Sequence, residues 1–182
     1  KLEPGSVLKA GSSIQTWKYT ELNAIVENDS ISEKEAVSTF RQLLLKSIKD
    51  RLPASGNIGS ELSGGLDSSG VTAGIQSVLS GKDHTLHTFS NVLSDNGLGL
   101  YFPFEDERNF SRKVVKHAGI HHHHLCSGDE RGILDRLKSN ILLLGMPSQQ
   151  AFHHLSDVLY KRAEEAGVQI LFSGFGGDEA VS

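Results

Sequence analysis

The sequence predicts an α/β fold, a parallel sheet with helices on both faces. Three observations predict it. From residue 32 onward, strand-like runs alternate with helix-period segments in the order α-β-α-β-α-β-α-α-β, and such alternation favours parallel strands joined by right-handed crossovers. The run Val168-Gln169-Ile170-Leu171-Phe172 is almost continuously apolar, as expected of a strand buried on both faces. Two glycine-rich stretches, one from Ser63 to Gly70 and one from Ser173 to Glu179, each follow a strand-like run. Ligands in such sheets bind beyond the carboxyl ends of the strands, near a topological switch point.

In order, residues 1–28 are weakly patterned. Leu2 to Leu8 reads as a turn and short strand, and Ser13 to Tyr19 as a second strand. Together they make a hairpin, which is marginal alone in water; this segment is expected to be the tail of an upstream domain or a linker, with residues 29–182 forming the main domain. The clearest helix spans residues 32–51. Ser32 and Glu35 have capping-box spacing, Ala36, Val37, Phe40, Leu43, Leu44 and Ile48 share one face, and Pro53 and Gly56 follow the end. Asn57 to Leu62 is the next strand. The helix after it, 66–80, carries Gly70 and Gly74; each costs up to ~1 kcal/mol relative to Ala, so close packing on the sheet is the expected compensation.

Thr85 to Val92 is a second strand of the sheet, and the glycine-bearing stretch from Ser94 to Phe104 is a loop with apolar residues that fold onto something. Glu105-Asp106-Glu107 opens a helix at the end where the dipole favours acids. That helix buries Phe110, Val114, Val115 and Ala118, and Gly119 stops it. Ile120 to Cys126 is a strand with four consecutive histidines. Helices over 128–144 and 148–166 precede the last strand.

At 182 residues the chain fits one domain with a short appendage. A formal net charge of −4 gives no reason to expect nucleic acid or acidic membranes as partners. A single cysteine, Cys126, excludes an internal disulfide and fits a reducing, cytoplasmic setting. No apolar run approaches the ~18 residues of a membrane span, and no signal peptide is visible. The chain starts at Lys1 rather than Met and stops just after a glycine-rich loop, which suggests a piece of a larger protein.

Chemistry concentrates in Leu62-Ser63-Gly64-Gly65-Leu66-Asp67-Ser68-Ser69. Paired glycines let backbone approach a ligand, amides at a helix start attract anions, and Ser63, Ser68 and Ser69 add hydroxyls. A carboxylate, Asp67, belongs among these groups when a divalent cation shares the site with phosphate. If the two strands are neighbours, Asp67 and Asp178 converge on one crevice, an arrangement suited to Mg²⁺ bridging phosphate oxygens. Neither G-x-x-x-x-G-K-[ST] nor a strand-following G-x-G-x-x-G is present. No G-x-S-x-G elbow supports serine hydrolysis. Among His121 to His124, alternation lets at most two histidines share a face, and no familiar tetrahedral set surrounds them even with His117. The pair His153-His154 reads as surface or packing on a helix, the charged runs 105–107 and 161–165 as helix ends and solvated faces, and Cys126 as a small buried hydrophobe.

The 62–69 stretch resembles the pyrophosphate loop of the N-type ATP pyrophosphatases. With Asp106-Glu107 leading into 114–123, and with Leu171-Phe172-Ser173-Gly174-Phe175-Gly176-Gly177-Asp178-Glu179, the chain resembles the synthetase domain of glutamine-hydrolysing asparagine synthetases. Relatives of that family include β-lactam synthetase and lasso-peptide cyclases. The opening Leu2-Glu3-Pro4-Gly5 with Trp17 resembles the end of the family's N-terminal glutaminase domain. The resemblance implies an adenine nucleotide α-hydrolase-like, PP-loop fold. It implies ATP and Mg²⁺ as cofactors, activation of a small-molecule or peptide carboxylate as its adenylate, release of pyrophosphate, and displacement of AMP by nitrogen. By the same resemblance Ser63, Gly64, Gly65, Asp67 and Ser68 hold the β and γ phosphates. Leu62, Asn91, Ser173 and Gly174 line the adenosine pocket, and Asp67 and Asp178 coordinate Mg²⁺ and carry the catalysis. It implies an upstream glutaminase partner domain, whose N-terminal nucleophile the internal Cys126 cannot supply. Two departures stand out: Phe175 stands where asparagine synthetases commonly have Glu, and Ala180-Val181-Ser182 does not match the family's glycine-glycine-tyrosine run. The first favours an acceptor other than aspartate. Alternatives are a peptide or secondary-metabolite cyclase, a nucleotide-binding module without turnover, and a tRNA-modifying thiolase or GMP synthetase, the last disfavoured by the second glycine-rich loop.

Overall fold

The computed structural model describes residues 2–20, 26, 30–79, 81, 83–93, 106–128, 133–146 and 153–178. The chain divides into two compact units, residues 1–40 and 41–182. In the first, strands β1 (Ser6–Ala10) and β2 (Ile14–Lys18) pair antiparallel from Ser6↔Lys18 to Ala10↔Ile14. Gly5 takes φ 70° and its carbonyl accepts the Tyr19 amide at 2.8 Å, which closes the open end of the hairpin. Helix α1 (Glu33–Arg51) begins in this unit, and the Ser32 hydroxyl accepts the Glu35 amide as an N-cap.

The second unit holds the sheet. Its strands are β3 (Gly56–Glu61), β4 (His84–Val92), β5 (His122–Ser127) and β6 (Val168–Phe172). All three pairings are parallel, and the order across the sheet is β5-β4-β3-β6. Helices α2 (Leu66–Leu79), α3 (Arg108–Ala118), α4 (Ile133–Leu144) and α5 (His153–Glu165) connect them. The α/β class read from alternation is the class observed. Strands β3, β4 and β5 step outward in one direction, and β6 returns to the other side of β3. The switch point therefore lies between β3 and β6, where both glycine-rich loops emerge.

Side chains alternate between the two faces of the sheet, and both faces are covered, so Leu86 to Ser90 of β4 are all buried. On one face Ile58, Ile75, Leu79, Leu86 and Ile120 join Ile48 of α1 in a core that includes α2 and residues of α3. On the other, Phe89 and Cys126 pack beneath Leu159 and Ala163 of α5. Burial pushes the Cys126 thiol up to about 11, so it behaves as the inert small hydrophobe expected.

Four expectations need correction. Among the described residues strand β6 stands at the edge of the sheet and is only partly buried, with Gln169 exposed; an apolar run marks a strand but not its place in the sheet order. On α1 only Ile48 is fully buried, whereas Val37, Phe40 and Leu43 are exposed. Gly74 packs against helix α1 rather than the sheet, since a Cβ there would lie 2.7 Å from Ile48 Cδ1, and Gly70 faces open space. On α3 the fully buried residue is Ser111, while Phe110 is exposed. The loop expected at 94–104 lies outside the described residues, as do the side chains of His153 and His154.

The histidine run is divided between faces. His122 and His124 lie with His87 and Phe89 in a stacked ladder. The ring centroids of His87 and His122 are 4.6 Å apart, those of Phe89 and His124 are 4.8 Å apart, and His87 Nδ1 lies 3.1 Å from His124 Nε2. His123 points the other way and bonds Thr88 Oγ1 at 3.0 Å. Among the described residues no group of three metal-ligating side chains is assembled. Burial, then the neighbouring His122 and His124 charges, lower the His87 pKa from 6.5; burial, His122 and Arg162 lower that of His124. A histidine whose folded pKa is depressed takes up its proton more readily unfolded, so its contribution is complete above ~6.5 and is lost as pH falls toward the folded value. Thermal melts should therefore weaken from about pH 6.5 downward, and His87→Gln should have a shallower decline. Parallel declines in the two proteins would show that the ladder is not responsible.

Candidate functional site

The site is built where β3, β4 and β6 end. Leu62 continues β3, its amide donating to the Phe89 carbonyl at 2.8 Å, while Ser90 Oγ donates to the Leu62 carbonyl. Serine hydroxyls then hold the loop. Ser63 Oγ and Ser68 Oγ are 2.9 Å apart, the Ser63 amide donates to Ser68 Oγ at 3.3 Å, and the Gly65 amide donates to Ser63 Oγ at 3.2 Å. These bonds hold the loop in shape, and its hydroxyls and amides sit at the start of α2, where anions are favoured. Gly64 takes φ +91°, and a Cβ there would overlap Phe110 and stand 2.8 Å from the Ser111 amide nitrogen. Glycine is required because the loop passes directly over α3.

The second loop touches the first. A Cβ on Gly174 would lie 2.6 Å from the Ser68 nitrogen, and one on Gly177 would overlap the Asp67 carboxylate. Ser173 Oγ donates to Glu61 Oε2 at 2.7 Å and accepts the Phe175 amide at 3.1 Å. The end of β3 and the loop after β6 are thereby tied through one hydroxyl.

Between the loops lies a cavity of about 470 Å³, within the usual range for a small-molecule site. Leu62, Ser63, Gly65, Asp67, Ser68, Asn91, Ser173, Gly174 and Asp178 all line it. Of the loop residues singled out from the sequence, Gly64, turned toward α3, and Ser69, whose hydroxyl is buried, lie outside the lining. Asn91 Oδ1 is buried and has no hydrogen-bond partner, an acceptor that a ligand amino group would satisfy. The carboxylates of Asp67 and Asp178 line the same cavity from opposite loops, and hard oxygen donors of this kind suit Mg²⁺.

Sequence reasoning missed two acids. Glu61 and Glu107 also line the cavity. Burial first, and then the neighbouring Asp106 charge, raise the Glu107 pKa above its ordinary value. Asp106 is not a solvated helix end. Its side chain is 7 % exposed and pairs with Arg108 Nε at 3.0 Å. Burial works to raise its pKa, but hydrogen bonds from the Arg108 amide and guanidinium and from the Leu93 amide outweigh it and hold the carboxyl low. Two residues that belong in different environments, one capping and one facing the cavity, are adjacent in sequence and carry the same charge. Glu61 did leave a signal, an acid ending an otherwise neutral strand.

Comparison with known proteins follows the same outline. The family model described as asparagine synthase matches residues 39–182. A Penicillium rubens protein named Amidase chyE is 28% identical over 161 residues, which is 85% of this chain and 23% of that protein. The glutamine-hydrolysing asparagine synthetase of Bos taurus is 30% identical over 149 residues, 78% of this chain and 24% of that enzyme. The chain thus spans about a quarter of the length of the curated relatives it matches.

Proposed function

The chain belongs to the asparagine synthase family, and from that premise we propose that its cavity binds ATP with Mg²⁺ as part of an amide-forming synthetase. The single observation that carries the reading is the contact between the two loops at Asp67, which brings a serine- and amide-lined anion site and two carboxylates to one cavity. In this reading Ser63, Gly65 and Ser68 receive the β and γ phosphates, with Gly64 giving the loop its path. Asn91, Leu62, Ser173 and Gly174 border the nucleoside. Asp67 and Asp178 would hold the Mg²⁺, which supplies charge neutralisation on the phosphate oxygens when bound.

The chemistry follows from what must be stabilised. The acceptor carboxylate attacks the α-phosphorus, the bond to the β-phosphate bridging oxygen breaks, and pyrophosphate leaves. Charge accumulates on the departing group, and preorganised donors in the 63–68 loop meet it there. Holding the acceptor in line with the leaving group accounts for much of the rest. An amine or ammonia then adds to the acyl carbon and AMP departs. Residues 1–28 are proposed as the tail of an upstream domain, a glutaminase in the proteins that use glutamine nitrogen, and 29–182 as the synthetase domain. A cytoplasmic setting is part of the same proposal.

The test uses the full-length protein with ATP, Mg²⁺, ammonium and a candidate acid, with products identified by phosphorus NMR. AMP and pyrophosphate in equal amounts are expected. ADP and inorganic phosphate would contradict cleavage between the α and β phosphates.

A further inference from the structure

We infer that the histidine ladder is a transition-metal site, apart from the carboxylate cavity, in which His87 and His124 bind a late first-row divalent ion such as Zn²⁺ and His122 supplies a third nitrogen. The inference does not depend on the nucleotide reading. The sequence alone puts only His122 and His124 on one face of β5. The structure adds a histidine from the next strand, because His87 is the register partner of His122.

The three rings occupy one patch. The His87 centroid lies 4.6 Å from that of His122 and 5.4 Å from that of His124, and His122 and His124 share a face two residues apart. His87 Nδ1 and His124 Nε2 are 3.1 Å apart. At the usual ~2.05 Å from imidazole nitrogen to metal, that separation subtends about 100° at the ion. The angle falls between the octahedral and tetrahedral values, so the two nitrogens already have the spacing of neighbouring ligands. In the structure one of the two rings donates a hydrogen bond to the other. A neutral imidazole has one bare nitrogen, and moving its proton to the other ring nitrogen turns the bare one toward an ion. His122 stacks on His87 and is exposed; rotation about its side-chain bonds brings it in as the third ligand.

The surroundings suit such an ion. Imidazole favours Zn²⁺, Cu²⁺ and Ni²⁺, whereas Mg²⁺ takes hard oxygen donors. The histidine face and the carboxylate cavity therefore select different metals. Phe89 stacks on His124 at 4.8 Å and closes the inner side of the patch with an apolar ring. On the outer side His122 meets solvent, which gives an ion its entry path. Arg162 of α5 is close enough to act on His124 electrostatically, and its charge is paired with Glu165, 3.2 Å away.

The test is calorimetric titration with ZnCl₂ of the full-length protein, made without a polyhistidine tag, stripped of metal by a chelator and then saturated with Mg²⁺. One Zn²⁺ per chain should bind. His87→Gln and His124→Gln should each weaken it by at least about tenfold, since losing even a group that only supports a ligand costs roughly 10–100-fold in metal affinity. His121→Gln, exposed and just ahead of β5, should change it by less than about twofold. If a thermal melt shows His87→Gln to be unfolded, the exposed His122→Gln takes its place, with the same tenfold loss expected. Affinity unchanged by His87→Gln, or lowered as much by His121→Gln as by His122→Gln, would reveal an exposed histidine run capturing the ion adventitiously and would overturn the inference. So would absence of Zn²⁺ binding under saturating Mg²⁺.

Discussion

Asp67→Asn in the full-length protein should lower ATP-dependent pyrophosphate release by on the order of 10²–10³-fold while leaving the fold intact. The carboxylate lies against the backbone of Gly177 and faces the cavity that Asp178 also lines. Asn keeps its shape and removes its charge, so packing of the two loops is preserved while a hard anionic donor is lost. Removal of one group that stabilises charge growing on a leaving group costs this much in enzymes where it has been isolated. Pyrophosphate release should be followed alongside a thermal melt. A large drop in rate at an unchanged melting temperature is the expected pair of results, whereas a rate within about threefold of wild type would remove Asp67 from the chemistry.

Gly64→Ala should destabilise the protein by about 2–6 kcal/mol, the sum of a left-handed backbone strain of ~1–3 kcal/mol and a similar cost of overpacking. The added methyl would overlap Phe110 and stand 2.8 Å from the Ser111 nitrogen, and Ser111 is fully buried, so the backbone of α3 cannot yield. Gly70→Ala is the internal comparison. It lies in the same helix region with nothing within 4 Å of the new methyl, and there the gain in helix propensity should stabilise by roughly 0.5–1 kcal/mol. Urea unfolding of the two variants should therefore move in opposite directions. Equal, small shifts would mean that the first loop is not pinned on α3.

The contrast between these glycines shows what the sequence could and could not convey. Gly70 and Gly74 look alike in a helix of small residues, and packing on the sheet was expected of both, whereas Gly64 was read as a loop glycine that lets backbone approach a ligand. What separates the glycines is a neighbour 26 or more residues away, Ile48 of α1 for Gly74 and Phe110 of α3 for Gly64. The parallel sheet was legible because alternation of periods is local. The position of β6 at the edge was not, because burial of a strand depends on which strands flank it.

The site divides in the same manner. Its two loops were legible as glycine-rich stretches following strands, and strand order then brought them into contact through Gly174 and Gly177. Glu107 was hidden by Asp106. An acidic run before a helix reads as dipole compensation, and only the fold shows Asp106 buried on Arg108 while Glu107 turns to the cavity. Phe175 was visible as a departure from a family pattern. Its exposure beside Leu66 came only from the structure.

The central claim is that the two loops form one nucleotide site with a shared divalent ion. It is tested most directly by a double-mutant cycle. Affinity for Mg²⁺–ATP would be measured by titration calorimetry for wild type, Asp67→Asn, Asp178→Asn and the double variant. If both carboxylates hold the same ion, the second substitution should cost little once the first is made, with a coupling energy of at least ~1 kcal/mol. Costs that add to within ~0.3 kcal/mol would show two independent carboxylates and contradict the shared site.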